Sequence, residues 1–93
     1  MAQQFDDQTI QQVWNKGIIV PGNDPNQRRK DVCGAWILQN MYGDRSSKNN
    51  NGWEIDHINP NGSDDISNLR PLQWYNNASR QDGPLTCPVK ATT

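Results

Sequence analysis

WEIDHINPNGSDDISNLRPLQWYNNASRQDG occupies residues Trp53 to Gly83. Trp53 to Ile58 has the alternating apolar positions of a strand, at 53 and 55. Asn59-Pro60-Asn61-Gly62-Ser63-Asp64-Asp65 is a loop built of turn formers. Asn68 to Trp74 is apolar at 69, 72 and 74, and Pro71 restricts any strand there to a short or edge position. Tyr75 to Gln81 predicts a helix of about two turns, stopped by Asp82-Gly83-Pro84. Asn76 and Asn77 are poor helix formers, so something other than propensity placed them inside so short a helix.

This stretch also carries the chain's only histidine, His57, directly after Asp56. In order come Asp56-His57-Ile58-Asn59-Pro60, a Gly/Asp-rich loop, Asn68-Leu69-Arg70-Pro71-Leu72, and Asn77 nine residues after Asn68. The ordered set resembles the HNH endonuclease family, whose motif runs Asp-His-Ile-x-Pro, a polar loop, Asn-Leu-x-x-Leu, and then Asn or His on a helix. The resemblance implies a ββα-metal finger, a hairpin crossed by a helix with a divalent ion between them. It implies His57 as general base, Asp56 and Asn77 as metal ligands, and Asn68 as a brace of the loop. Asn76 lies next to Asn77, so a shift of one residue would exchange the two. DNA is the implied substrate, cut by hydrolysis of its phosphodiester bonds.

The residue chemistry is compatible with that implication. Phosphodiester hydrolysis needs an activated water and stabilised charge on the phosphoryl oxygens. A carboxylate and an amide oxygen are hard ligands that leave most of an octahedral shell open, which suits Mg²⁺, or Mn²⁺, better than a closed zinc cage. An imidazole with an unperturbed pKa near ~6.5 can accept a proton at neutral pH. Glu54 could share a face with Asp56 and is a weaker candidate ligand, acting through water. Arg80 falls on one helix face with Asn77 and Gln81 and is the first candidate for a phosphate contact, with Arg70 the second. One difficulty is geometric. Neighbours on a strand point to opposite faces, so the strand should bend or end at Asp56-His57 if both are to reach one phosphate.

On the N-terminal side, Asp7 to Lys16 predicts a helix capped by Asp6 and stopped by Gly17, with Ile10, Val13 and Trp14 as its apolar stripe. Ile18-Ile19-Val20 is a short extended piece. Asn23 to Lys30 reads as a loop carrying the dense basic cluster Arg28-Arg29-Lys30, a candidate phosphate-contacting edge. Ala35 to Tyr42 is compatible with a strand and is expected to pair with 53–58 as a long-looped hairpin. The tail from Leu85 to Thr93 lacks periodicity and is expected to fray.

Composition narrows the classes. A 93-residue chain with 32% hydrophobic residues is expected to form one small domain with a thin core, resting on Trp14, Trp36, Trp53 and Trp74 and on the N-terminal helix. A formal charge of −1 and a pI near 5.6 exclude a generic polycation that coats nucleic acid. Neither cysteine belongs to a Cys-x-x-Cys pair, so the structural zinc of many HNH members is not expected. For Cys33 and Cys87 the expectation is two free thiols in a reducing compartment, with a single disulfide as the alternative. No apolar run reaches the ~18–20 residues of a membrane span, and the first residues lack a secretory pattern, so a cytoplasmic protein is expected. The combined expectation is an α+β fold, a small HNH finger with an N-terminal helix and an additional β-hairpin strand, acting as a metal-dependent endonuclease. A larger protein partner or a homodimer could deliver it to DNA. The alternative is a catalytically silent nucleic-acid-binding or assembly module that keeps the finger as a scaffold.

Overall fold

Asp6 sits in extended backbone just before the first apolar turn, and its carboxylate accepts from Thr9 N at 2.8 Å. That cap starts helix α1, Asp7–Trp14, in the computed structural model, which describes residues 4–92. The helix is two residues shorter than expected, because Lys16 N and Gly17 N turn back onto Val13 O and Trp14 O in a tighter final turn. Val13 and Trp14 are fully buried, with Phe5 and Ile10 packed beside them. The remaining elements are β1 (Arg28–Lys30), β2 (Trp36–Leu38), β3 (Trp53–His57), β4 (Leu69–Gln73) and α2 (Trp74–Arg80). Single 3-10 turns follow β2 and precede β4. The class is α+β, with two helices and two small antiparallel hairpins.

The strand pairing differs from expectation. β2 pairs with β1, not with β3, and Arg28–Lys30 is strand where a loop was expected. Asp31 closes this local hairpin. Its backbone N–H donates to Ala35 O, while its side chain accepts from Cys33 N and Ala35 N. Gly34 takes a left-handed φ of 83° in the same turn. Closing so short a loop costs less chain entropy than closing 43–52. Between the β2 region and β3 there remain only single bonds such as Leu38 N to Asn51 O and an isolated bridge, Tyr42 to Trp53.

β3 and β4 pair in register Asp56↔Arg70 and His57↔Leu69, with Pro71 opposite Ile55. The sheet has only two strands, so the missing N–H of Pro71 interrupts no third one. The core is Val13, Trp14, Ile37, Trp53, Ile55 and Leu69, with the Trp14 and Trp53 rings 5.4 Å apart. Only two of the four tryptophans enter it. Trp36 lies under Arg28 and Lys30, and Trp74 stands edge-on to Tyr75 with its indole N–H on Ser47 O.

The tail is tied down, not frayed. Cys33 and Cys87 form a disulfide, which replaces the two free thiols expected. Val89 exchanges two hydrogen bonds with the Asn76 side chain, and Ala91 N donates to Gly34 O. A short core gains from such a staple. Among the described residues, no helix is long and apolar enough to cross a membrane.

Candidate functional site

Because Asp56 and Arg70 are cross-strand partners, their side chains share one face of the β3–β4 hairpin. α2 packs against both strands and brings Arg80, in its last turn, to the same place. Asp56 is only 5% exposed. Its Oδ2 accepts from Arg70 Nε at 2.8 Å, and Arg80 Nη1 lies 2.9 and 2.8 Å from Oδ1 and Oδ2. Arg80 also donates to three backbone carbonyls, those of His57, Ile58 and Gly83. The carboxylate is thus held between two guanidiniums, with one positive charge in excess.

His57 is the last residue of β3, so the strand does end at this pair. Its side chain makes different contacts from those of Asp56. The Nε2 atom is 2.6 Å from Asp64 Oδ1, and the Phe5 ring lies 6.3 Å away. The imidazole is one-third exposed and Asp64 is mostly exposed, so this pair sits at the rim, in reach of water.

Asn68 ties the intervening loop together. Its Oδ1 accepts from Asn59 N, and its Nδ2 donates to Asn59 O and Ser63 O. Gly62 belongs to the same arrangement, since a Cβ there would meet Asn68 Nδ2 at 2.6 Å. The loop therefore has one compact path from His57 to Leu69.

The two helix asparagines separate cleanly. Asn76 is fully buried and holds Asp31 and the tail. Asn77 turns its Nδ2 to Glu54 Oε1 at 3.0 Å, so its amide nitrogen meets Glu54. Glu54 is itself buried and takes a forked contact from Arg45 Nε and Nη2. That bond raises the Arg45 guanidinium above its ordinary value. Arg45 escaped the sequence reading, since it sits in a polar turn with no periodicity to mark it.

The basic cluster is divided by strand alternation. Arg29 points inward, with its guanidinium on the carbonyls of Pro25, Asn15 and Gly17, so it is a structural residue and is withdrawn as a phosphate contact. Arg28 and Lys30 flank Trp36 on the outer face, 3.7 and 4.7 Å from its ring.

A cation held by Asp56 and Asn77 does not fit this arrangement. Both Asp56 oxygens are engaged by guanidiniums, and Asn77 donates to Glu54. Nor do the described residues include a group of three or more His, Cys, Asp or Glu side chains able to hold a metal. Comparison of the chain with family models, with curated proteins and with solved structures gives no match.

Proposed function

We propose that this chain is a nuclease of the HNH type that hydrolyses nucleic-acid phosphodiester bonds, with DNA as substrate. One observation carries the reading. His57 stands one-third exposed at the end of β3 with one ring nitrogen held by Asp64, next to a buried Asp56 that gathers Arg70 and Arg80. A base oriented by a carboxylate beside two phosphate-matching guanidiniums is a set that can assist water attack on a phosphodiester. The hairpin β3–β4 followed by α2, with the loop tied by Asn68, supports the finer description as a ββα finger.

In this reading Asp64 fixes the tautomer of His57 through Nε2, leaving the other ring nitrogen to take the proton of the attacking water. Arg70, the more exposed of the two, and Arg80 set the positive side on which the phosphate lies, and Arg28 and Lys30 on β1 add cationic charge from the other hairpin. Mg²⁺ or Mn²⁺ remains part of the proposal as the family's source of electrophilic charge, although the residues as folded do not accommodate it. The acidic balance of the chain makes DNA affinity weak and steeply salt-dependent, which favours delivery by a larger partner or a second copy.

A second reading rests on the same carboxylate. With Asp56 held by Arg70 and Arg80, the unit could serve as a silent nucleic-acid-binding or assembly module. Supercoiled plasmid nicking separates the two. The enzyme reading expects cutting that needs Mg²⁺, stops with EDTA, and falls at least ~10²-fold in His57→Ala. Retained DNA binding by a wild-type chain that cuts nothing would replace it with the module.

A further inference from the structure

Beyond the turn that ends α1, Ile18 exchanges two backbone hydrogen bonds with Lys30, at 2.8 and 3.0 Å. Beside this pairing lies a cavity of about 160 Å³ whose lining includes Lys16, Ile18, Lys30, Asp31, Val32 and Arg70. Lys16 comes from the turn after α1, Lys30 from β1 and Arg70 from β4. Tertiary structure thus collects three cations from distant parts of the chain around one small space. A water takes up ~30 Å³ in the liquid, so the cavity has room for a tetrahedral oxyanion.

The acid in this lining does not cancel the cations. Asp31 is 1% exposed, and both its oxygens are committed to backbone and amide N–H groups. Lys16 rests its ammonium on the carbonyls of Ile66 and Leu69, and among the described residues no carboxylate pairs with it. An ammonium has a further N–H to give beyond those two. Arg70 is bonded to Asp56 through Nε, and its terminal nitrogens carry further donors. The exposed side chains of Ile18 and Val32 add apolar walls, which concentrate a field of one sign.

We propose that this cavity is a phosphate-binding site, joined to the Asp56 cluster through Arg70, and that in a nucleic-acid complex it takes a backbone phosphate other than the one that is cut. Donors that reach in from three sides match a tetrahedral anion better than a planar carboxylate. Free phosphate and backbone phosphate share this chemistry. The nucleic-acid occupant rests on the nuclease reading above, while the site itself does not. No side chain has to leave its present partner for the anion to enter.

The test titrates inorganic phosphate, at constant ionic strength, into the wild type, Ile18→Glu, Val32→Glu and Ile19→Glu, followed by backbone amide signals in NMR. All three positions are exposed and all three variants change the charge equally, but Ile19 does not line the cavity. The site expects saturable shifts grouped at Lys16, Ile18, Lys30, Val32 and Arg70. Ile18→Glu and Val32→Glu should each weaken binding at least about fivefold, and Ile19→Glu less than about twofold. Val32→Glu decides the matter should Ile18→Glu disturb its pairing with Lys30. Equal weakening in all three variants, or no saturable shift at these residues, overturns the site. A DNA duplex titrated in EDTA then tests the occupant. A backbone phosphate expects the same ranking of variants, with the salt slope of Lys16→Gln lower by about one. Phosphate binding without that ranking on DNA overturns the nucleic-acid occupant. Plasmid nicking reads the nuclease separately: a chain that binds phosphate here and cuts nothing keeps the site and loses the nuclease, and one that cuts without binding phosphate here does the reverse.

Discussion

Asp31 and Asp56 are both buried carboxylates beside a two-stranded hairpin, and their surroundings differ in kind. Asp31, 1% exposed, is satisfied by neutral donors: the backbone N–H groups of Cys33, Ala35 and Gln73, and the amide of Asn76. Asp56 is satisfied by two side-chain cations, Arg70 and Arg80. Backbone donors cannot leave without unfolding the segment that carries them, whereas a guanidinium can turn to another anion. One aspartate thus joins the β1–β2 turn, β4 and α2 into one body, and the other balances charge between β3, β4 and α2.

The largest effect should come from the link that reinforces the Asp31 region. The Cys33–Cys87 disulfide spans a sequence separation of 54. Opening it by Cys33→Ser with Cys87→Ser should cost about 4 kcal/mol on the chain-entropy account, read as a lowered urea midpoint. Next, Asp31→Ala leaves the backbone N–H groups of Cys33, Ala35 and Gln73 and the Asn76 amide without this acceptor and should cost about 3 kcal/mol. Asp56→Ala should cost less than Asp31→Ala in the same measurement, because Arg70, 21% exposed, can turn to water and Arg80 keeps its three carbonyls, which holds the loss below the about 3–5 kcal/mol of a broken, fully buried pair. If Asp56→Ala proves the more destabilising, the distinction between a carboxylate held by neutral donors and one held by side-chain cations fails.

The smallest effect lies at the exposed cap of α1. Hydrogen bonding with Thr9 holds the Asp6 carboxyl below its ordinary value. A folded value lowered in this way means stabilisation that is present above the unfolded pKa and lost as pH falls through the folded one. Asp6→Asn should therefore flatten the acid side of the melting-temperature profile slightly, with no change at the Asp31 or Asp56 clusters.

Much of the local structure was legible in residue order. The cap at Asp6, the stripe at Ile10, Val13 and Trp14, the strand expected over 53–58 and found over Trp53–His57, and the short helix bearing both asparagines follow from short-range rules. Pairing was less legible, because Arg28–Lys30 has no apolar alternation and gains its strand partner only through the turn that Asp31 closes. The tail misled for the same reason: nothing local in Leu85 to Ala91 indicates that Cys87 meets Cys33 or that Val89 meets Asn76.

At the candidate site the division is similar. The resemblance of the ordered motif to the HNH family brought forward Asp56, His57, Asn68 and Asn77, and helix spacing brought forward Arg80, with Arg70 as a second cation. Which charge faces which was decided in three dimensions. Cross-strand register set Arg70 on Asp56, helix packing brought Arg80 to the same carboxylate, and strand alternation turned Arg29 inward and left Arg28 and Lys30 outside. A sequence specifies side-chain chemistry and local geometry through neighbours a few residues apart. Partners across a hairpin or beneath a helix are selected only when burial makes every polar group find a mate, and that condition exists only in the folded chain.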